Sequence, residues 1–194
     1  MSDNKPEILT MICNALSTSG IAEASKIIQQ SYQFVPVKPV ATRSYTEKES
    51  VSIFVRDGFV DRYTGKQLVF PAVLRILSLL LPDAFPFHRN WKMDKTHQAY
   101  WELFPTLDHI VPVACGGLDD MNNLVTTSML RNSAKANFSL EELGWHIHPA
   151  GDMKKWDGLM GWCLDLVQQN RQLASEPYIG RWCRVAQKFD KRTN

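Results

Sequence analysis

Apolar residues recur at helical spacing from near the start of the chain. Ile8, Leu9, Ile12 and Leu16 follow Pro6, a residue suited to a first helical turn, and together they predict a helix. Ser19-Gly20 interrupts the pattern, and a second helix is expected over 21–32. Pro36 and Pro39 make 34–44 extended, so 34–45 reads as a linker after an N-terminal helical element at 1–33.

The main domain opens with Thr46 and Glu49, spaced as a capping box, and a helix through about Arg56 that Asp57-Gly58 ends. Residues 61–68 form a turn-rich knuckle. Pro71 starts another helix, which must stop before Pro82. Phe85, Phe87, Trp91, Tyr100, Trp101 and Phe104 crowd one segment and are expected to pack as core. After Pro105 the period shortens. Leu107, Ile110, Val111 and Val113 predict a strand, Gly116-Gly117 a loop, 124–127 a second strand, and Met129 the start of a helix. Ser139 and Glu142 form another capping-box pattern, and Gly144 can close that short helix.

Two amphipathic helices are expected at the end. Trp156, Leu159, Met160, Cys163 and Val167 share a face over 153–172, and Tyr178, Ile179, Trp182, Cys183, Ala186 and Phe189 share one over 177–189. The elements sum to an α+β, mostly helical fold, with 46–150 as the main domain and 151–194 as helices packed on it.

Composition alters this picture little. Hydrophobic residues make up 44% and charged residues 22%, as in an ordinary globular protein. A formal net charge of +2 excludes a polybasic tail protein but leaves room for a local phosphate-binding face. Cys13, Cys115, Cys163 and Cys183 form no C-x-x-C pair, so a disulfide framework or a cysteine-built zinc site is not expected. They read as reduced thiols, mostly buried. The apolar run at 73–81 is interrupted by Arg75 and Ser78 and is too short for a bilayer. With no signal-peptide pattern, a soluble, cytoplasmic protein without membrane partners is expected.

The segment with chemical content is LDHIVPVACGGLDDMNNLVTTSMLRNSAKAN, residues 107–137. A strand bearing Asp108 and His109, a long loop, a returning strand and a helix bearing Asn132 and Lys135 can gather these groups around one place. Neighbours in a strand point to opposite faces, which suggests a division of labour. Asp108 would bind a cation while His109 approaches a phosphate from another side. Asp and Asn offer hard oxygens, which suit Mg²⁺ or Mn²⁺. A histidine titrating near neutrality can deprotonate water.

The string D-H-I-x-P-x-x-x-G-G-x-x-D-x-x-N-L followed by N-S-A-K-A-N resembles the HNH endonuclease family, and more weakly the resemblance extends back to Arg56. It implies a ββα-metal (His-Me finger) core at 107–137 inside a nuclease domain at 46–150. By that resemblance Asp108 and Asn132 are metal ligands and His109 is the general base. Asn123 braces the loop and orients the histidine, and Lys135 falls where a basic residue contacts phosphate. Family members often carry two zinc-binding C-x-x-C pairs. Here those four positions are Asp61, Thr64, Ser128 and Arg131, so no structural zinc is expected. An Asp61–Arg131 ion pair helped by the two hydroxyls would replace it. Thr106 stands where some members place an extra acidic ligand.

The implied reaction is divalent-metal-dependent hydrolysis of DNA, double-stranded by preference, in restriction or host defence. Cutting both strands would need a homodimer or two successive events. The competing readings are a non-catalytic nucleic-acid-binding module and an RNase or toxin nuclease. Residues 171–194 hold six basic and two acidic side chains. Arg181, Arg184 and Lys188, with Lys191 and Arg192 beyond and Asn137 nearer the motif, are the candidate nucleic-acid contacts. His88, His97 and the alternating pair His146 and His148 are weaker candidates, the last as a strand carrying a metal pair.

Overall fold

A computed structural model describes residues 4–34 and 44–190. The expected linker at 34–45 falls mostly, and Lys191 and Arg192 wholly, outside the described residues. The chain divides into two compact units, Met1–Arg43 and Ser44–Asn194. Among the described residues no helix is long and apolar enough to cross a membrane.

The first unit is a helical hairpin. Helix α1 (Lys5–Thr18) carries Pro6 in its first turn, and α2 (Ile21–Ser31) follows after Ser19 and Gly20. Both turn amides donate to the carbonyl of Ala15, closing the end of α1. Ile12, Ala15 and Ala24 are buried between the helices, with Ile8 and Ile27 packed beside them.

The second unit begins with α3 (Glu47–Arg56). Its capping box is complete: Glu49 N–H donates to Thr46 Oγ1 at 3.2 Å, and Thr46 N–H donates to Glu49 Oε2 at 2.8 Å. α3 buries Val51, Ile53 and Phe54. A knuckle follows, in which Asp61 N–H donates to Lys66 O and Gly65 N–H to Asp61 O. α4 (Pro71–Leu80) buries Ala72, Val73, Leu74 and Ile76, and its buried Ser78 meets the Tyr100 hydroxyl in the aromatic segment around α5 (Ala99–Glu102). There Trp91 lies edge-on to Tyr100, Trp101 and Phe104, so the cluster fills the core.

Strand β1 (Pro105–His109) pairs antiparallel with β2 (Leu124–Ser128), from Pro105 opposite Ser128 to His109 opposite Leu124. The sequence predicted a strand reaching Val113, but it stops at His109. Val111 gives its N–H and C=O to the Asn123 side chain rather than to a ladder. Pro112 has no N–H to offer, and Val113–Cys115 turns as a 3-10 helix. β2 runs into α6 (Met129–Lys135), capped by Ser128 Oγ accepting from Arg131 N–H. A capped turn, α7 (Leu140–Leu143), follows and ends at the left-handed Gly144.

The expected continuous helix over 153–172 is not formed. α8 (Met160–Gln169) starts late and α9 (Arg171–Ser175) is separate. Gly158 and Leu159 adopt left-handed φ of 69° and 61°, and a Cβ on Gly158 would overlap the Phe59 ring. Trp156 therefore sits outside the helix, where its indole N–H donates to Leu68 O at 2.9 Å. Asn170 separates α8 from α9 by capping the latter. α10 (Pro177–Ala186) packs Ile179 and Trp182 into the same core as Phe54, Phe59 and Phe70, so the segment after residue 150 shares one core with what precedes it. Cys163 and Cys183 are buried in that core with Sγ atoms 3.7 Å apart, while Cys13 and Cys115 are exposed, contrary to the expectation that most thiols are inside.

Candidate active site on the strand-loop-strand-helix segment

β1, the loop, β2 and α6 place the sequence-predicted residues within one hydrogen-bonded assembly. Asp108 is buried. Its Oδ2 accepts from the Tyr63 hydroxyl at 2.6 Å and lies 3.0 Å from Lys135 Nζ. The Lys135 ammonium also donates to His109 O at 2.7 Å. Burial first, and then the Asp108 charge, pushes the Tyr63 phenol well above its ordinary range, so Tyr63 is a neutral donor. Lys135 has 0% of its surface exposed. The expected phosphate contact from Lys135 is therefore corrected: a backbone phosphate meets surface groups, and this ammonium is held inside by Asp108.

Asn132 reaches back from α6 to β1. Its Nδ2 donates to Thr106 Oγ1 and to Leu107 O, both at 3.1 Å. A carbonyl can only accept, so the amide orientation is fixed, with Oδ1 turned the other way. Thr106 thus orients Asn132 through its hydroxyl.

Asn123 ties the loop across its width. Its Oδ1 accepts from Val111 N–H at 2.9 Å, and its Nδ2 donates to Val111 O at 2.9 Å and Leu118 O at 2.7 Å. Gly117 is required beneath it, because a Cβ there would overlap Val111 O and the Asn123 amide. Asp120 Oδ1 accepts from the N–H groups of Asn122 and Asn123, completing the turn into β2. His109 is half-buried. Its Nε2 is 2.8 Å from Asp119 Oδ1 and 3.2 Å from the Tyr45 hydroxyl, which itself donates to that Asp119 oxygen at 2.6 Å.

Three side-chain atoms here have no protein partner among the described residues: Asp108 Oδ1, Asn132 Oδ1 and His109 Nδ1. No buried side-chain nitrogen or oxygen among those residues lacks a partner, so these three reach solvent. Each belongs to a side chain whose other polar atom is fixed by protein. Two are hard oxygens and one is a basic nitrogen. Among the described residues no group of three or more His, Cys, Asp or Glu could hold a metal ion.

The four positions that the sequence resemblance set against zinc ligands, Asp61, Thr64, Ser128 and Arg131, are only partly joined. Asp61 is 2% exposed and accepts four bonds: Tyr63 N–H (2.9 Å), Thr127 Oγ1 (3.1 Å), Ser128 N–H (3.1 Å) and Ser128 Oγ (2.9 Å). The expected Asp61–Arg131 ion pair is absent among the described residues. Arg131 instead lies over the Trp145 ring, 5.0 Å from its centroid. The reason is geometric: the neutral donors of β2 already fill Asp61, while Arg131 on α6 has an aromatic face beside it. Thr64 Oγ1 serves its own turn, accepting from Lys66 N–H.

Several residues that the sequence did not single out build this site. Asp57 is fully buried and accepts from Arg56, Arg62 and Thr126 N–H, while Arg56 also donates to Met121 O and Leu124 O. This network ties the end of α3 to β2. Its signal was present in the Arg-Asp-Gly string, which marked a helix end without disclosing its partner. Tyr63 and Asp119 stood inside strings already read as a knuckle and a loop. Tyr45, one residue before a capping box, carried no signal.

The remaining candidates lie elsewhere. Asn137 is exposed, and its carbonyl accepts from the Cys115 thiol. Arg181 pairs with Glu47 at 2.9 Å, so its charge is shared, while Arg184 is exposed on α10 and Lys188 is exposed in the turn that follows it. His88 Nδ1 accepts from Asn90 N–H, and His97 stacks on Phe85 at 4.1 Å between ring centroids, both within the aromatic segment. His146 and His148 lie in an irregular stretch rather than the expected strand, where His148 N–H donates to Arg62 O.

Searches of the chain against family models, curated proteins and solved structures find no match.

Proposed function

We propose that this chain is a divalent-metal-dependent endonuclease of the HNH type, hydrolysing DNA phosphodiester bonds at a ββα-metal core over 107–137. The observation that supports the reading is the set of three solvent-reaching atoms, Asp108 Oδ1, Asn132 Oδ1 and His109 Nδ1, on side chains otherwise held by protein. The two oxygens suit Mg²⁺ or Mn²⁺. When bound, such a cation supplies charge neutralisation at the phosphate and at the leaving 3′ oxygen.

The chain's own groups do the rest. His109 accepts a proton from the attacking water. Lys135 and Tyr63 hold Asp108, Thr106 and Leu107 O orient Asn132, and Asn123 fixes the loop. The Asp61–Ser128 bonds supply a cross-link where many HNH nucleases use zinc, so zinc is not a cofactor in this reading. Exposed Arg184, Lys188 and Asn137 are the phosphate contacts to test, with Arg181 weakened by Glu47. Duplex DNA is the proposed partner, with a homodimer where both strands are cut. A cytoplasmic restriction or host-defence role accords with it.

One observation favours a second reading. A buried ammonium already stands 3.0 Å from Asp108, which lowers the pull on a divalent ion and would suit a non-catalytic nucleic-acid-binding module. Plasmid nicking with Mg²⁺, Mn²⁺ or EDTA separates the two, and an RNA arm tests for an RNase or toxin nuclease. His109→Ala is expected to lower cleavage by about 10²–10⁴-fold with folding and DNA binding retained. Unchanged cleavage in that variant sinks the mechanism, and DNA binding without cleavage in any divalent ion establishes the second reading.

A further inference from the structure

We infer that Asp119, backed by Tyr45, is a positioning residue that keeps the His109 proton on Nε2 and leaves Nδ1 as the basic nitrogen. The inference rests on the proposal that His109 is the proton acceptor, but the hydrogen bond it names can be measured without any cleavage.

The argument runs from donor and acceptor counts. Tyr45 has one hydroxyl proton, and it is directed to Asp119 Oδ1 at 2.6 Å. What its oxygen presents to His109 Nε2, at 3.2 Å, is a lone pair. The Asp119 carboxylate, 2.8 Å from the same nitrogen, accepts only. Both neighbours of Nε2 are therefore acceptors, and the tautomer of a neutral imidazole is set by the bond its other nitrogen makes. The proton belongs on Nε2. Nδ1 carries the free pair and has no partner among the described residues.

The surrounding structure holds this arrangement from two sides. Asn123 Nδ2 grips the carbonyl of Leu118, directly before Asp119, and Asp120 caps the turn directly after it. The bracing of the loop by Asn123 thus reaches His109 through Asp119. From the other side, Tyr45 precedes the capping box that fixes the start of α3. Lys135 anchors His109 by its backbone carbonyl, leaving ring orientation to Asp119 and Tyr45.

The test is the nitrogen-15 spectrum of the histidine ring in the full-length, metal-free chain at alkaline pH, where an ordinary imidazole is neutral. Wild type is expected to show a protonated Nε2 and an unprotonated Nδ1. Asp119→Asn can offer its amide N–H to Nε2, so the population should shift toward the opposite tautomer. Its kcat should fall about 10–100-fold, the usual cost of losing a partner that orients a functional histidine, with KM and thermal midpoint unchanged. Asp119→Glu should restore most of the rate and the tautomer, and Tyr45→Phe should keep the tautomer with a smaller loss. A proton found on Nδ1 in wild type overturns the inference, as does an Asp119→Asn spectrum identical to wild type. If neither wild type nor any variant cleaves DNA while the tautomer shifts as described, the positioning role stands and the nuclease reading fails.

Discussion

Asp61 and Asp108 are both buried carboxylates beside the same hairpin, and they are satisfied in different ways. Asp61 accepts from two backbone amides and two hydroxyls, spread over both oxygens, and faces no ionic partner among the described residues. Asp108 takes a phenol and an ammonium on Oδ2, and its Oδ1 has no protein partner among the described residues. The first arrangement uses one bond for the knuckle's own turn and three to fasten the knuckle to β2. The second fastens the side chain by one oxygen and presents the other. A buried carboxylate is thus a candidate ligand when its protein bonds fall on one oxygen, and a structural clasp when they fall on both.

The same substitution should separate the two. In Asp108→Asn the amide can turn its oxygen to Tyr63 and Lys135, which puts an NH₂ where Oδ1 was. Cleavage is expected to drop by at least about 100-fold per folded molecule, as for the loss of one preorganised electrostatic group. The fold should survive at a cost of about 1–3 kcal/mol for the weakened bond to Lys135. Normal cleavage in this variant would break the comparison. In Asp61→Asn the amide NH₂ meets a backbone N–H whichever way it turns, because Tyr63 N–H faces Oδ1 and Ser128 N–H faces Oδ2. Denaturant unfolding should show a loss of about 2–3 kcal/mol, the cost of a buried group left unsatisfied. Cleavage per folded molecule should not change.

Arg131→Ala sharpens the reading of the Asp61 end. Arg131 stacks on Trp145 and does not pair with Asp61, so the loss should be only about 0.5–1 kcal/mol, the lower range for a cation–π contact. A loss as large as that of Asp61→Asn would restore the ion pair the sequence suggested.

The smallest effect is expected at Glu49, which is fully exposed and serves as an outer reference. The backbone N–H of Thr46, and then its hydroxyl, hold the Glu49 carboxyl below its ordinary range. A group whose folded pKa is depressed adds stability above its unfolded pKa, and that stability is lost as pH falls through the folded value. Thermal midpoints of Glu49→Gln and wild type should therefore differ slightly at neutral pH and converge in acid. Divergence on acidification would contradict the cap.

Much of the hairpin was legible because its signals are local. Thr46 with Glu49 and Ser139 with Glu142 each satisfy a helix start from within four residues, and both capping boxes form. Gly116-Gly117 marked the loop, and the β2-to-α6 sequence followed from period and propensity. The misread boundaries came from groups outside the local window. β1 ends at His109 because Asn123, twelve residues on in sequence, takes the backbone of Val111. The helix expected from 153 starts at Met160 because Phe59, about a hundred residues earlier, occupies the space a side chain at Gly158 would need.

The sequence by itself determined the order of elements, the α+β and mostly helical character, and the assembly of Asp108, His109, Asn123 and Asn132 on one short segment. Hydrophobic period, caps and spacing are properties of neighbouring residues. Only the tertiary structure decided which polar groups satisfy one another. It turned Lys135 inward to Asp108, gave Asp61 to Ser128 rather than Arg131, and set Tyr45 and Asp119 against His109. Those choices depend on distances between segments far apart in sequence, and on the cost of burying a charge or a donor without a partner.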